Sequence, residues 1–349
     1  FAIALWNGRD PILKERLFGL AGPEGNHGED VKEYYFYLDN TPSHSYMKML
    51  YRYPQAAFPY ADLVAENGRR GRHDFEYELM DAGAFEGERY FDVVVEYAKA
   101  GQDDILIRIT VTNQGPEEAI CHLLPTVWFR NTWSWGYPAG PMNCTPGKPV
   151  LRKMEGPAGS AAIAVDHPAA GNYFLYAERA LELLFTENET NMERLFDSAN
   201  DSPYVKDAFH RTVIGRESGA VNPAQEGTKG AAWYHDAIPA GRSISYRLRL
   251  ADAEQASPFG DFDDIFDQRL DEADAFYDAV HPADLDAEDR LIQRQAFAGL
   301  LWTKQLYYYD IPQWLRGDPR YPPPPFNRKQ GRNREGIHLN NLDILSMPD

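Results

Sequence analysis

Cysteine is scarce in this chain, whose 349 residues include only Cys121 and Cys144. Two cysteines cannot form a disulfide framework, and no Cys-x-x-Cys pair offers the spacing of a zinc site. Cys121 lies in the apolar run 119–124, where a cysteine usually behaves as a small buried hydrophobic residue. Because this pattern fits a reducing compartment, we predict a cytoplasmic location.

Long apolar runs and an excess of basic residues are also missing. No stretch of about eighteen apolar residues occurs, so no membrane-spanning helix is predicted, and no signal-peptide pattern is visible. The 35 lysines and arginines are outnumbered by 53 acidic residues, which gives a net charge of −18. A chain this acidic repels phosphate groups, so we expect neither nucleic acid nor a membrane as a partner.

The short motifs of several enzyme classes are absent from the sequence. It has no Gly-x-Ser-x-Gly elbow of a serine hydrolase, no Walker sequence, and no Gly-x-Gly-x-x-Gly after a strand. The zinc pattern His-Glu-x-x-His does not occur. The acid-rich run 261–264 lacks the glycine and the spacing of an EF-hand calcium loop. We therefore predict neither a metal nor a cofactor.

Aromatic residues, by contrast, are plentiful, with 21 Tyr, 18 Phe and 7 Trp. β-branched and aromatic stretches separated by Gly, Pro or Asn turns are typical of antiparallel strands. Such stretches cover 91–98, 105–111, 121–129, 161–165, 173–176, 183–186 and 243–250. They predict a mainly β fold, a large antiparallel sandwich over residues 1–255. We also predict that 173–176 and 183–186 pair as a hairpin and that 136–160 is a long surface loop.

The pattern becomes helical near residue 260. Acidic residues open a first helix, where the helix dipole favours them. The apolar face of this helix consists of Phe262, Ile265, Phe266 and Leu270. A second predicted helix over 287–309 has a broad apolar face and needs packing partners on more than one side. Prolines at 322–325 then favour an extended chain, and 332–349 is polar and is predicted to be irregular.

This change of character divides the chain into three predicted parts. They are a sandwich domain over 1–255, a linker helix over 256–284, and the start of an all-helical domain over 285–349. The chain opens with an apolar, strand-like segment and without an initiator methionine. We interpret this opening as a cut within a longer protein, and we expect the helical domain to be truncated at Asp349.

The segment 24–35 has the most varied polar chemistry in the sequence. It combines one histidine, four carboxylates, an amide and a lysine, and Gly25 and Gly28 allow a shaped loop. An aromatic run at 34–37 follows directly, and polar groups beside rings suit a sugar, which has hydroxyls at its edge and C–H groups on its faces. The candidate sugar-binding residues are Asn26, His27, Glu29, Asp30 and Lys32. The alternative is an acidic surface loop that leads into a buried strand.

Two further segments carry groups that bind sugars. Trp133 and Trp135 are two residues apart, so in an extended chain both rings point to one face and form a stacking surface; alternatively, they seal one end of the sandwich. Arg334 and Glu335 lie in the polar stretch 326–335, which either lines a cleft or is a solvated loop. Glycoside hydrolysis needs two facing carboxylates, and sequence spacing singles out no pair among 53 acidic residues.

Four segments carry a resemblance to a known family. They are 9–20 (Arg-Asp-Pro-Ile-Leu-Lys-Glu-Arg-Leu-Phe-Gly-Leu), 24–33 (Glu-Gly-Asn-His-Gly-Glu-Asp-Val-Lys-Glu), 130–136 (Arg-Asn-Thr-Trp-Ser-Trp-Gly) and 340–349 (Asn-Asn-Leu-Asp-Ile-Leu-Ser-Met-Pro-Asp). In this order they resemble bacterial proteins of glycoside hydrolase family 63, which is related to the processing α-glucosidase I of eukaryotes. The resemblance covers essentially the whole chain. One departure is Gly336, which stands where relatives usually have an aromatic residue after Arg-Asn-x-Glu.

The resemblance implies an N-terminal β super-sandwich followed by an (α/α)6 barrel. It also implies inverting hydrolysis of α-glucosidic bonds by a general acid and a general base that both lie on the barrel. In related chains the Met-Pro-Asp segment at 347–349 continues into a tryptophan-rich stretch that bears the general acid. The chain is therefore expected to hold the sandwich, the linker helix and the first helices of a truncated barrel, and to lack both catalytic carboxylates.

The resemblance also implies partners and an alternative function. The expected partners are an oligosaccharide or small glucoside and the remainder of the (α/α)6 barrel. The loop 26–32 is expected to reach over the barrel mouth and shape the subsite for the terminal glucose. The alternative is a non-catalytic sandwich that binds carbohydrate or supports the barrel.

Overall fold

The computed structural model describes residues 1–27, 30–137, 147–157, 159–180 and 182–346. Within these ranges the fold is mainly β, with two large antiparallel sheets of four and nine strands. The strands are β1 Ala2–Trp6, β2 Gly19–Leu20, β3 Asp30–Val31, β4 Tyr34–Asn40, β5 Tyr46–Pro54, β6 Tyr90–Gly101, β7 Asp104–Asn113, β8 Ala119–Trp128, β9 Val150–Glu155, β10 Ser160–His167, β11 Gly171–Glu178, β12 Glu182–Thr186, β13 Glu226–Gly227, β14 Lys229–Ile238, β15 Ser243–Ala251, β16 Lys304–Asp310 and β17 Asn340–Ser346. The α-helices are α1 Tyr60–Arg69, α2 Met192–Phe196, α3 Ala208–Val213, α4 Phe262–Val280, α5 Ala287–Trp302 and α6 Ile311–Arg316.

The two large sheets pack face to face and enclose the main core. The smaller sheet has the strand order β1-β8-β14-β12, and the larger has the order β13-β9-β10-β11-β15-β7-β6-β5-β4. Side chains alternate between the two faces of a strand, and Val93 and Val95 of β6 point into the core beside Ile107 and Ile109 of β7. Leu123 of the smaller sheet belongs to the same buried cluster. The predicted antiparallel sandwich is confirmed, because both sheets contribute inward-facing apolar residues.

Two predictions about individual strands are wrong. Residues 173–176 and 183–186 do not form a hairpin, because β11 pairs with β10 and β15 in the larger sheet whereas β12 pairs with β14 in the smaller. Both strands are apolar on their inward face, so their pattern fits a core position in either sheet. The stretch 136–160 was expected to be a loop but contains β9, which pairs with β10. Residues 138–146 and 158 of this stretch lie outside the described part of the chain.

The helix α4 confirms the first helical prediction and packs on the outer face of the larger sheet. Phe262 and Phe266 are fully buried there against Tyr46, Ala98 and Leu106. Leu106 precedes the core residue Ile107 on β7, so the two point to opposite faces of the sheet. Neither α4 nor any other helix in the described ranges has the length and apolar composition needed to cross a bilayer.

The second predicted helix is shorter than expected. α5 ends at Trp302, and the strand β16 occupies residues that were predicted to be helical up to 309. β16 pairs along its whole length with β17, which lies in the stretch 332–349 that was predicted to be irregular. Backbone hydrogen bonds to a strand distant in sequence therefore decide the conformation of β16, and local periodicity carries no sign of that partner.

α5 packs against β4 but leaves much of its apolar surface exposed. The Trp302 ring stacks on Tyr37 with ring centres 5.1 Å apart. On α5, Leu291 and Ile292 are 53% and 58% exposed, and on the adjoining two-stranded sheet of β16 and β17 Ile344 is 74% exposed. The (α/α)6 barrel to which these elements would belong remains a prediction.

Candidate functional site

The segment predicted as a sugar-binding loop lies against the stretch 71–78 of its own chain. Asn26 donates from Nδ2 to the backbone carbonyl of Asp74 at 3.1 Å, and His27 Nε2 lies 3.0 Å from the same oxygen. Asp30 begins the short strand β3, which pairs with β2. Glu29, also predicted to bind sugar, lies outside the described residues.

Lys32 lies at the centre of this contact, among three carboxylates. Its side chain is fully buried, and its Nζ lies 2.5 Å from Asp30, 2.8 Å from Glu76 and 2.9 Å from Glu78. Burial lowers the pKa of Lys32, but hydrogen bonds to Asp30, Glu76 and Glu78 outweigh burial, so the pKa lies above its usual value. Lys32 is therefore charged, and we call these four residues the Lys32 cluster.

The three carboxylates of the Lys32 cluster are also close enough together to share a metal ion. The ammonium group of Lys32 already lies within hydrogen-bond distance of all three, where a cation would otherwise bind. Charge-assisted hydrogen bonds of this kind are about twice as strong as neutral ones. The Lys32 cluster thus joins the loop to the stretch 71–78 without a ligand.

Replacing Lys32 with methionine should destabilise the chain by about 2 kcal/mol, because three carboxylates lose their shared counter-charge. The loss stays below that of a fully buried ion pair, since Asp30 and Glu78 are 38% and 40% exposed and become hydrated. Urea unfolding at pH 7 measures the change. Lys153→Met, at an exposed position of β9, is the matched control. Equal losses of stability in Lys32→Met and Lys153→Met would contradict a stabilising role of the Lys32 cluster.

A separate cleft of about 190 Å³ lies between the turn after β8 and the segment around α6. Its two walls, at 130–135 and 308–328, are far apart in sequence. The cleft is lined by Arg130, Trp135, Tyr308, Tyr309, Asp310, Gln313, Trp314, Gly317, Asp318 and Arg328. Four aromatic rings, two guanidinium groups and two carboxylates therefore meet in one concavity, which we call the Trp135 cleft.

The first wall is a turn that Asn131 holds in place. Asn131 is buried. Its Oδ1 accepts the backbone N–H of Ser134 at 3.2 Å, and its Nδ2 donates to the carbonyl of Asn188 at 2.8 Å. Asparagine side chains that bond nearby backbone groups are typical of turns. Gly136 follows with a φ of +82°, and a side chain there would collide with Arg320. The turn brings Trp135 to the cleft.

The second wall consists of the short helix α6 and the residues on either side of it. Asp310 caps the helix, because its Oδ1 accepts the N–H of Gln313 at 2.9 Å. Tyr308 donates its hydroxyl to Oε1 of Gln313 at 3.0 Å. Beyond the helix, Asp318 accepts the hydroxyl of Tyr137 at 2.7 Å, which joins the second wall to the first. Burial and the neighbouring Asp318 raise the pKa of Tyr137, so its hydroxyl keeps the proton that it donates.

Both arginines of the cleft lie over aromatic rings. The guanidinium carbon of Arg130 is 5.8 Å from the ring centre of Trp135 and 6.0 Å from that of Tyr308. The guanidinium carbon of Arg328 is 4.8 Å from the ring centre of Trp314, and its Nη1 donates to the Trp314 carbonyl at 3.2 Å. Cation–π attraction at these distances orients a planar guanidinium group.

The structure places the predicted tryptophans in different surroundings. Trp135 lines the cleft. Trp133 lies in a turn, so the extended chain assumed for a paired stacking surface is wrong. The indole N–H of Trp133 donates to Glu189 at 2.9 Å instead. Trp133 therefore anchors the turn, and Trp135 contributes to the cleft.

The other predicted site residues do not line the cleft. Arg334 and Glu335 are exposed and pair with each other at 3.3 Å. The described members of the first candidate loop, Asn26 to Lys32, contact the stretch 71–78. Gly336 contacts α6, since a side chain there would meet Ile311 at 2.6 Å. A side chain at this position would require the tip of the Ile311 side chain to move.

Sequence reasoning missed most of the second wall. The missed residues are Tyr308, Asp310, Trp314 and Asp318, whereas Arg328 belongs to the stretch 326–335 for which a cleft was one of two predictions. Tyr308 falls in the residues that were assigned to the second helix, and Asp310 follows them directly. A signal was present in the stretch 307–318, where aromatic and ionisable residues are interleaved. Such a mixture is typical of a binding cleft.

Three solved structures share limited geometry with the chain. A putative kojibiose phosphorylase from the human microbiome has a TM-score of 0.23 and 8% identity, over 63% of this chain and 23% of that one. A polysaccharide lyase has a TM-score of 0.31 and 10% identity, over 78% of this chain and 27% of the lyase. A family GH92 alpha-mannosidase from Bacteroides thetaiotaomicron, in complex with mannoimidazole, has a TM-score of 0.21 and 10% identity, over 76% and 24%. TM-scores this low do not establish a common fold.

At the level of sequence, no family model matches the chain. The chain is similar to an uncharacterized protein, YMR196W, of Saccharomyces cerevisiae, with 41% identity over 389 residues. The similarity covers 99% of this chain and 35% of the yeast protein. The chain therefore spans about a third of the length of this curated relative.

Proposed function

We propose that the Trp135 cleft binds a saccharide. The observation that carries this proposal is that Trp135, Trp314 and Tyr308 meet in one cleft with the charged groups of Arg130 and Asp318. Aromatic faces stack on the C–H groups of a sugar ring, while guanidinium and carboxylate groups bond its hydroxyls. A volume of about 190 Å³ lies below the roughly 300–1,000 Å³ of sites for drug-sized ligands. A single sugar ring therefore suits the cleft.

For the whole protein we propose inverting hydrolysis of terminal α-glucosidic bonds, as the resemblance to family 63 implies. The motif segments quoted above support this proposal. Asp310 caps α6 and Asp318 holds Tyr137, so we assign neither a catalytic role. We propose that the general acid and base, which act on opposite sides of the bond, come from the remainder of an (α/α)6 barrel.

The proposed division of labour assigns a supporting role to this chain. We propose a sandwich over 1–255, a linker helix over 256–284 and the first elements of the barrel domain over 285–349. The exposed apolar side chains of α5 and of the two-stranded sheet β16-β17 support it, since they offer packing surface to further helices. A sandwich that only supports the barrel is a second candidate, and the internal contacts of the Lys32 cluster favour it.

Replacing Trp135 with alanine should weaken saccharide binding by about tenfold or more, since one stacking ring at the centre of a small site carries much of the binding energy. Calorimetric titration of the 349-residue chain with glucose and α-linked glucose disaccharides measures the change. Trp128→Ala is the matched control, because Trp128 is 42% exposed and does not line the cleft. Binding that is unchanged in Trp135→Ala would disprove the role of the cleft.

Hydrolysis of the same disaccharides tests where the chemistry lies. We expect binding without turnover by this chain, because the proposed acid and base belong to other parts of the protein. For the whole protein, NMR then identifies which anomer of glucose is released first, which tests whether hydrolysis inverts the configuration. Turnover by the 349-residue chain alone would show that a working carboxylate pair lies within it and would overturn this placement.

A further inference from the structure

The outer face of the smaller sheet carries a group of four rings beside the helix α3. Leu124 of this face packs against Phe209 of α3. Further along the same face lie Trp6 of β1, His122 of β8, and Trp233 and His235 of β14. Their chain neighbours Leu5, Leu123 and Tyr234 belong to the main core, and side chains alternate between the faces of a strand, so the four rings point away from that core. We call the four rings the His122 platform.

The register of the strands brings these rings side by side. Trp6 and His235 are the cross-strand partners of His122 on its two sides. The ring centre of His122 lies 4.8 Å from that of Trp6 and 5.8 Å from those of Trp233 and His235. Trp6, His122 and Trp233 are half-buried and His235 is exposed, so each ring keeps some surface open to solvent.

A hydrogen bond fixes His122 and Trp233 edge to edge. The indole N–H of Trp233 donates to Nδ1 of His122 at 3.1 Å. The N–H and the Nδ1 lone pair each lie in the plane of their own ring, so this bond joins the rings at their edges, and the two planes differ by 28°. Trp6 is fixed separately, because its indole N–H donates to the carbonyl of Asp10 at 2.8 Å. His122 and Trp233 therefore form a nearly flat aromatic surface that is in place before a ligand binds.

His122 adds one neutral hydrogen-bond donor to this surface. Since its Nδ1 accepts the bond from Trp233, the proton of the neutral imidazole lies on Nε2. Burial, together with the nearby His235 and Arg216, lowers the pKa of His122 to about 4, so the imidazole is uncharged at neutral pH. Among the residues that the structure describes, Nε2 has no hydrogen-bond partner. A metal ion on Nε2 would require the proton on Nδ1, facing the indole N–H, so the platform does not suit a metal.

From this arrangement we infer that the His122 platform is a second saccharide-binding surface, on which the apolar face of an uncharged sugar ring stacks. Aromatic surface beside a neutral donor matches the C–H groups on the face of a sugar and the hydroxyl oxygens at its edge. Nε2 of His122 donates to one hydroxyl. The exposed Glu182, which is the cross-strand partner of Trp233, accepts from another. This carboxylate and the net charge of −18 disfavour an anionic ligand.

The His122 platform and the Trp135 cleft are separate sites. His122 lies near the start of β8, whereas the cleft begins beyond the end of this strand at Trp128. A strand rises about 3.3 Å per residue, so the two sites lie about 20 Å or more apart. The inference therefore goes beyond the proposed function of the cleft, and either site can fail without the other.

Affinity gel electrophoresis of the Trp135→Ala chain tests the inference, because this variant lacks a stacking ring of the cleft. The gels contain soluble starch, a mixed-linkage β-glucan or a mannan. We expect at least one of them to retard the chain, and the apparent dissociation constant to rise about tenfold when Trp233→Leu is added. His122→Phe, which keeps a ring and loses the donor, should raise it about threefold to tenfold. His73→Phe, at an exposed position of the stretch 71–78, is the matched control and should leave it unchanged.

Three other outcomes would overturn the inference. The first is that no polysaccharide retards the Trp135→Ala chain. The second is that Trp233→Leu and His122→Phe change the retardation no more than His73→Phe does. The third is a dimer in sedimentation that His235→Glu dissociates, which would assign this face to contact between two copies of the chain. The role of the cleft is decided separately, by titration of the wild type against Trp135→Ala.

A variant at the exposed rim of the platform separates lost binding from lost folding. His235→Ala changes an exposed side chain, so the free energy of unfolding should stay within about 0.5 kcal/mol of the wild type. We expect it to raise the apparent dissociation constant about threefold, and unchanged retardation would contradict the inference even if Trp233→Leu failed to fold. Circular dichroism of each variant verifies the fold.

Discussion

Replacing Lys14 with methionine should lower the free energy of unfolding by about 3–5 kcal/mol, because it leaves the Glu33 carboxylate buried without its charge partner. Lys14 Nζ lies 3.1 Å from Glu33 Oε1, and the two side chains are 5% and 0% exposed. The Glu33 carboxylate also accepts the backbone N–H of Phe18 and the hydroxyl of Tyr51. These bonds hold the carboxylate in place, so it cannot move to water when the lysine is lost.

A double variant separates the lost charge from lost packing. Methionine retains the aliphatic stem of Lys14, whose Nζ lies 3.8 Å from the ring centre of Phe58. Adding Glu33→Gln to Lys14→Met removes the unpaired charge and keeps an acceptor for the N–H of Phe18. We therefore expect the double variant to unfold at a higher urea concentration than Lys14→Met alone. If the stability lost in the double variant equals the sum of the losses in Lys14→Met and Glu33→Gln, the two residues do not interact as the geometry implies.

This ion pair joins two of the segments that carry the family resemblance. Lys14 lies in the segment 9–20 and Glu33 in the segment 24–33, so the two motifs contact each other in the folded chain. Asp10 of the first motif also accepts the hydroxyls of Tyr53 at 2.9 Å and Tyr60 at 3.1 Å. The two segments therefore both make buried polar contacts with β5, Glu33 through Tyr51 and Asp10 through Tyr53.

The sandwich and α4 could be predicted because their signals are local. Alternation along 105–111 places Ile107 and Ile109 on one face of β7, and the structure buries both in the core. The spacing of Phe262 and Phe266 likewise predicts the face of α4 that packs on the sheet. Periodicity of this kind reports which side of an element is buried, whatever its partner.

The cleft and the Lys32 cluster could not be predicted in this way, because their contacts join residues far apart in sequence. Tyr137 meets Asp318 across the cleft, and Lys32 meets Glu76 and Glu78. The sequence indicated that Lys32 lies in a polar loop but not that its partners belong to the same chain. β16 was missed for the same reason, since its pairing with β17 overrides a helical pattern.

Replacing Arg294 with methionine should also lower the free energy of unfolding by about 3–5 kcal/mol, because Asp39 is left buried and unpaired. Arg294, on α5, bonds to Asp39 on β4 and donates from Nη1 to Asp274 on α4 at 2.6 Å. Its guanidinium carbon lies 4.6 Å from the ring centre of Tyr277, whose hydroxyl donates to the carbonyl of Asn40 at 2.6 Å. One side chain therefore joins both helices to the sandwich.

The loss should be concentrated in α5 and in the second wall of the Trp135 cleft, since β16 and α6 follow α5 directly in the chain. Hydrogen exchange measured by mass spectrometry should show faster exchange in 287–316 of Arg294→Met and little change in β6 and β7. Arg290→Met is the matched control on the same helix. Its ion pair with Asp278, which is 78% exposed, spans 3.5 Å, so we expect a loss below about 1 kcal/mol.

The dependence on pH distinguishes a lost charge partner from lost packing. Burial raises the pKa of Asp39, and the bond from Arg294 opposes this rise. Without Arg294 the pKa of Asp39 in the folded state rises further. A group whose pKa is raised by folding stabilises the folded state at low pH, and this contribution is lost as the pH rises through the folded-state pKa. The stability difference between wild type and Arg294→Met should therefore shrink as the pH falls from about 7 towards 4. Adding Asp39→Asn to Arg294→Met should recover most of the lost stability at neutral pH. A stability difference that stays constant with pH would mean that packing, not the Asp39 charge, holds α5 on the sandwich.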